Sequence, residues 1–318
     1  MMKNRKSFIV GLKSTILKSN EIKFLKKYKP WGIILFTRNI KTIKQTKKLT
    51  DSIKKIFNDS NYPILIDQEG GRINRLSNII DMSFFTSEFF GNLYKNDINK
   101  FKDYCNIFIK QTSFLLKSIG VNLNTVPVLD LRYKQTHNII GNRSFGPNPK
   151  IVSKIGNHFI SEYHKHKIGT SIKHIPGHGL AKVDSHKRTP IVKEGINKLI
   201  KTDFYPFKNK QSLLAMTAHI IYQKIDPKNT ATHSSIVIKL IRKMIGFQNL
   251  IVSDDISMKG LKFDIAENVK KLFSAGCNLA LHCNGKMPEM IIVAKNSPNV
   301  DSFILKKTSQ FYKILSQY

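Results

Sequence analysis

Paired cysteines, long apolar runs and acidic residues are what this chain lacks. Its three cysteines, Cys105, Cys277 and Cys283, are odd in number and none forms a CxxC pair. A disulfide framework is therefore not expected, and a reducing compartment is favoured. No apolar stretch approaches the ~18 residues a membrane span needs. The basic N-terminus holds only FIVGL as an apolar run, too short for a signal-peptide core. A soluble cytoplasmic protein is the expectation. There is no linker, low-complexity tract or internal repeat, so 1–318 reads as one domain. Asp and Glu number 21 against 53 Lys and Arg, giving a formal charge of +32. Such a charge suits an anionic partner or follows from a general drift in which Lys, Asn and Ile are abundant together. A nucleic-acid site concentrates Arg, Lys and aromatics in one patch. Here the lysines run along the whole chain, and no nucleic-acid partner is expected.

What is present is enough chain to bury a core, 318 residues with 41% hydrophobic content, a globular composition. Short β-branched runs recur at 8–12, 31–36, 63–67, 121–130, 169–176, 213–222, 250–257 and 278–283. Each reads as a strand buried on both faces, as parallel sheets require. Helical patterns lie between them. One, at 42–57, places Ile43, Leu49, Ile53 and Ile56 on a face. Eight alternating βα units predict an α/β fold, a single (β/α)8 TIM-type barrel. The less periodic segment 68–98 reads as a loop inserted after the third strand.

In such a barrel the chemistry sits at the C-terminal strand ends, and polar residues fall there. Asp67 ends the third run, Asp130 the fourth with Arg143 beyond it, Lys173 and His174 the fifth, His219 the sixth, and Asp254-Asp255 the seventh. A carboxylate at the barrel mouth serves as nucleophile, base or metal ligand; the alternative is a helix N-cap. Adjacent strand residues face opposite ways, so one of Asp254 and Asp255 is expected inside. In IDQEGGRINRL, Arg72 and Arg75 offer planar forks for carboxylates or sugar hydroxyls, or pair structurally with Asp67. In KHIPGHGLAKVDSHKRTP, His174, His178, His186 and Asp184 are enough ligands for zinc, but Asp184 and His186 also suit an acid/base pair. The bland alternative is a surface loop.

Together DQEGGRINRL, PVLDL, IGNRSFG, KHIPGHG, DSH, MTAHIIY, SDDISMKG and AGCNLALHCNG follow the order seen in glycoside hydrolase family 3. More narrowly, the chain resembles the bacterial β-N-acetylhexosaminidases of peptidoglycan recycling, from ILFTRN at 34–39 to about residue 285. The resemblance implies Asp254 as nucleophile, His186 as acid/base with Asp184 as its partner, and Asp67, Arg75, Arg143, Lys173 and His174 as sugar-binding residues. It implies a small-molecule substrate, a muropeptide whose terminal β-linked N-acetylglucosamine is removed from 1,6-anhydro-N-acetylmuramic acid. No cofactor and no metal are implied, and a cytoplasmic monomer is expected. An imidazole with an ordinary pKa near 6.5 can both give and take a proton at neutral pH. Another family 3 glycosidase or an N-acetylglucosaminide phosphorylase would use the same residues. A basic polyanion binder on a retired scaffold would have lost Asp254, His186 and Asp184, which are all here.

Overall fold

A computed structural model describes residues 2–316. The eight apolar runs form strands β1 (Lys6–Gly11), β2 (Pro30–Leu35), β3 (Ile64–Ile66), β4 (Leu123–Asn124), β5 (Gly169–Ile175), β6 (Leu214–Thr217), β7 (Leu250–Asp255) and β8 (Leu279–His282). Each pairs in parallel with its neighbour in the chain, and β8 pairs with β1, closing the predicted (β/α)8 barrel. The helices wrap it in chain order: α1 (Ser19–Tyr28), α2 (Ile43–Phe57), α3 (Ser87–Asn96), α4 (Ile98–Ser118), α5 (Pro149–Lys165), α6 (Ile196–Lys201), α7 (Ser235–Leu240), α8 (Ile265–Ala275), α9 (Met287–Asn296) and α10 (Ser302–Ser316). Among the described residues, no helix is long and apolar enough to cross a membrane.

Four expectations are corrected in detail. The run 121–130 gives only a two-residue ladder, because Pro127 has no N–H to donate; pairing resumes at the single bridge between Val128 and Lys173. The run 213–222 is two strands. Ile221–Tyr222 leaves the barrel and pairs with Ile191–Val192. The segment 68–98 ends in α3, which starts where the Thr86 hydroxyl accepts the Phe89 N–H at 3.0 Å. On α2 the buried stripe is Thr46, Leu49, Thr50 and Ile53, an i, i+3, i+4, i+7 set, while Ile43 is exposed. Two threonines hide that stripe from a hydropathy reading. Thr50 is buried because its hydroxyl donates to the Ile119 carbonyl at 2.8 Å.

Alternation along the strands separates two cores. Phe8, Val10, Ile33, Ile64 and Ile251 face the helices. Ile9, Ile34, Leu65, Leu123, Val252 and Leu281 fill the interior, joined by Ile304 and Phe311 of α10. That helix closes the N-terminal end, and Thr308 on it accepts from the Trp31 indole N–H at 2.9 Å. The interior layer fixes what lies above it. Two residues beyond Leu65, Leu123 and Val252 come Asp67, Thr125 and Asp254, each on the inward parity at the opposite mouth.

Gly91 of α3 packs directly on the loop that follows β4. A Cβ there would overlap the carbonyl oxygen of Phe145, two residues past Arg143. Gly91→Ala is expected to lose about 1–3 kcal/mol of stability through overpacking, read as a lower urea midpoint at constant slope. An unchanged midpoint would contradict this close approach.

Candidate active site

The mouth is built around a buried set of alternating charges. Lys173, 3% exposed, sits 3.0 Å from Asp67 and 2.7 Å from Glu69. Its ammonium also donates to the Thr125 hydroxyl at 3.0 Å, and that hydroxyl donates to Asp67. Glu69 in turn takes a two-pronged contact from Arg143, Nε to Oε2 and Nη2 to Oε1, both 2.8 Å. Paired planar groups of this kind fix both partners in orientation as well as distance. Arg75 approaches Asp67 at 3.5 Å and lies over the Phe36 ring. Burial alone would raise both carboxyls. Lys173 and Arg75 reverse this at Asp67 and hold it far below the usual carboxylate range. Arg143 and Lys173 do the same at Glu69, lowering it to about 2.

The strand-end pair Lys173-His174 reaches the mouth together because the register of β5 against β6 shifts between Lys173 and Ile175. The shift breaks alternation. His174 donates from its backbone N–H to buried Asp130 at 3.1 Å and bonds the same carboxylate through Nδ1 at 2.6 Å. Its Nε2 lies 3.9 Å from Asp254. Of the two adjacent aspartates, Asp254 is the inward one. Asp255 is structural: it accepts from the Ser257 N–H at 3.1 Å, the Ser257 hydroxyl at 2.8 Å and the Cys283 N–H at 3.2 Å. Burial would raise the Asp254 carboxyl, but His174 and His219, with the Asp255 N–H and the charge of His186, keep it below its ordinary value and therefore ionised. His219 is held by Thr232 at 2.7 Å and by the Asp255 carbonyl at 3.1 Å.

Residues 176–190 form the loop over this mouth. Asp184 accepts both the backbone N–H and the ring Nδ1 of His186 at 2.8 Å. The imidazole is 57% exposed while Asp184 is 12% exposed, so the free Nε2 edge is the one open to a ligand. Burial would raise Asp184, but these bonds from His186 hold it below its ordinary value. The loop is pinned beside the segment that follows β7, where Thr189 donates to the Gly260 carbonyl at 2.7 Å. His174, His178 and His186 take three different partners: Asp130, Ser185 and Asp184. Among the described residues, no His, Cys, Asp or Glu cluster is arranged to hold a metal.

The eight residues to which the resemblance points thus lie at one mouth, either in the buried charge set, at or beside Asp254, or on the loop that carries His186 and Asp184. Glu69, Thr125, Asp130 and His219 complete it. Glu69 carried a legible signal, since it stands two residues from Asp67 on the same parity among Arg72 and Arg75. Thr125 carried none: it is marked only by its contacts with Asp67 and Lys173, 58 and 48 positions away.

Comparisons with known proteins bear on the family and the fold. The family model described as glycosyl hydrolase family 3 N terminal domain matches residues 9–306. A β-hexosaminidase of Haemophilus ducreyi is 32% identical over 305 residues, covering 91% of this chain and 83% of that protein. The crystal structure of native NagZ from Neisseria gonorrhoeae superposes with a TM-score of 0.85 at 29% identity, over 97% of this chain and 90% of that one. A family 3 β-N-acetylglucosaminidase of a Paenibacillus strain shares the fold, with a TM-score of 0.86 at 23% identity over 98% of this chain and 61% of that one.

Replacing Glu69 by Gln leaves two buried cations short of a charge, at a cost of about 3–5 kcal/mol. The folded carboxyl titrates at about 2 against an ordinary 4.5. Its contribution is therefore fully present above pH 4.5 and is lost as the pH falls toward 2. The gap in urea midpoint between wild type and Glu69→Gln should be widest near neutral pH and shrink below 4.5. A gap independent of pH would contradict the ionic role.

Proposed function

This chain belongs to glycoside hydrolase family 3, and from that premise we propose that it is a retaining, exo-acting β-N-acetylglucosaminidase working through Asp254 and the His186–Asp184 pair. The observation that carries the reading is a carboxylate, Asp254, fixed at the end of β7 with His174 3.9 Å away, next to a pinned loop that bears an exposed imidazole, His186, bonded to Asp184. A retaining glycosidase needs one carboxylate below the anomeric carbon and one proton donor beside the leaving oxygen. Asp254 attacks that carbon while His186 gives its Nε2 proton to the departing oxygen, and the glycosidic bond breaks. His186 then takes a proton from water as the water displaces Asp254 from the glycosyl ester. Asp184 holds Nδ1 protonated throughout, so that Nε2 is the nitrogen that cycles. The charge set of Asp67, Lys173, Glu69 and Arg143, with Arg75 and His174, presents rigid donors and acceptors to sugar hydroxyls.

The relatives named β-hexosaminidases support the N-acetylhexosamine preference. The chain's resemblance to the enzymes of peptidoglycan recycling supports 1,6-anhydro-muropeptides as substrates, taken up in the cytoplasm by a monomer of one domain. An anionic muropeptide also suits a protein of charge +32, whose field raises the local concentration of anions.

An aryl β-N-acetylglucosaminide should be cleaved, and Asp254→Ala should lose roughly 10³-fold or more of kcat/KM. His186→Ala should lose most with a poor leaving group and little with dinitrophenol, which departs without a proton. In wild type the acid limb of kcat/KM, set by Asp254, should lie below pH 3.8, the ordinary value beneath which its carboxyl is held. The alkaline limb should vanish in His186→Ala. Activity that survives in Asp254→Ala would sink the assignment. A sugar 1-phosphate formed when phosphate is supplied would replace the hydrolase by a phosphorylase.

A further inference from the structure

Asp130 is wholly buried, yet nothing above gives it a part in the chemistry. Among the described residues it makes no ion pair with Lys or Arg. Its four contacts all go to one short stretch of chain. Oδ1 accepts the backbone N–H of His174 at 3.1 Å and that of His178 at 2.7 Å. Oδ2 accepts the His174 backbone N–H at 3.2 Å and meets the His174 ring Nδ1 at 2.6 Å. A buried carboxylate without these donors would be strongly unfavourable, so the donors and the acid fix one another.

The two histidines lead in different directions. From His174 the path runs through Nε2 to Asp254, 3.9 Å away. From His178 it runs through Nε2 to the Ser185 hydroxyl at 3.4 Å, and Ser185 lies between Asp184 and His186. Its backbone is confined too, since a Cβ on Gly260 would come within 2.5 Å of the Ser185 carbonyl oxygen. One carboxylate thus stands at the junction between the nucleophile's neighbour and the root of the loop that carries the acid/base pair.

We infer that Asp130 is a positioning residue that sets the His174 ring against Asp254 and, through His178 and Ser185, holds the His186–Asp184 loop in register with it. The inference rests on the proposed roles of Asp254 and His186. Because Asp130 accepts at Nδ1, the His174 proton belongs on that nitrogen, and only the Nε2 edge faces the nucleophile and the sugar. An amide at position 130 keeps the shape but has one acceptor oxygen for three donors. Its NH2 must oppose either the ring Nδ1–H or a backbone N–H. In the first case the ring turns to the Nε2–H tautomer; in the second the loop root shifts.

The test uses the intact enzyme with two aryl N-acetylglucosaminides, one with dinitrophenol and one with a poor phenol as leaving group. Wild type and Asp254→Ala are run alongside. Asp130→Asn is expected to lose about 100-fold in kcat/KM on both substrates, the scale of an ångström-level misplacement. Ser185→Ala is expected to lose several-fold in kcat on the poor leaving group and nothing on dinitrophenol. Nitrogen-15 NMR of histidine-labelled wild type should show the His174 proton on Nδ1, and Asp130→Asn should move or remove that signal. A folded Asp130→Asn enzyme with wild-type kinetics overturns the inference while leaving the proposed function intact. So does a wild-type His174 without a proton on Nδ1, a result that does not depend on any variant folding. If Asp130→Asn does not fold, equal loss on both substrates, or none, in Ser185→Ala overturns the link to the loop. Wild type inactive on both substrates overturns the function and this inference together.

Discussion

Lys173 carries a charge in a place where water hardly reaches, with Asp67 at 3.0 Å and Glu69 at 2.7 Å, and the rest of the mouth is arranged around that fact. A buried ammonium is tolerable only when it is paired and hydrogen-bonded. Its two carboxylates are buried in turn and require Arg143 and Arg75. These groups come from the ends of β3 and β5 and from the loop after β4, so the set ties three parts of the chain to one geometry. Polar groups held this way need no rearrangement when a ligand arrives, and that is how fixed dipoles and charges favour a transition state. Three cations, Lys173, Arg143 and Arg75, stand against two carboxylates, Asp67 and Glu69, in the set.

The distribution of acids sharpens the point. The chain has 21 Asp and Glu residues in all, and Asp67, Glu69, Asp130, Asp184, Asp254 and Asp255 lie at the mouth or on its loop. Elsewhere lysine dominates the surface. Compositional drift toward lysine can replace surface acids at little cost, because exposed ion pairs contribute at most about 1 kcal/mol each. It cannot replace a carboxylate that compensates a buried cation. The strong positive charge and the intact site are therefore two outcomes of one rule applied to exposed and buried positions.

The same rule explains what could be read from sequence. Eight apolar runs gave the barrel because parallel strands are buried on both faces, and strand-end charges such as Asp67, Lys173 and Asp254 stood out against them. Alternation alone says that one of Asp254 and Asp255 faces inward but not which; the family resemblance pointed to Asp254, and the interior position of Val252, two residues earlier, puts it inside. Glu69 and Asp130 were visible as acids near strand ends, while their partners lie 74 and 44 positions away and no local pattern marks such a pairing. The α2 stripe was misplaced at Ile43 because buried threonines look polar until their hydroxyls are seen bonded to backbone carbonyls. The splitting of 213–222 follows from His219, which turns toward Thr232 and the Asp255 carbonyl instead of continuing the ladder.

In the proposed mechanism the carboxylate of Asp254, held below its ordinary value by its histidine neighbours, forms a covalent bond to the sugar. Mass spectrometry after inactivation with a fluorinated N-acetylhexosamine reads that bond directly. A single glycosyl adduct is expected on Asp254 and none on Asp255, whose oxygens are occupied by Ser257 and Cys283. An adduct on any other residue would contradict it.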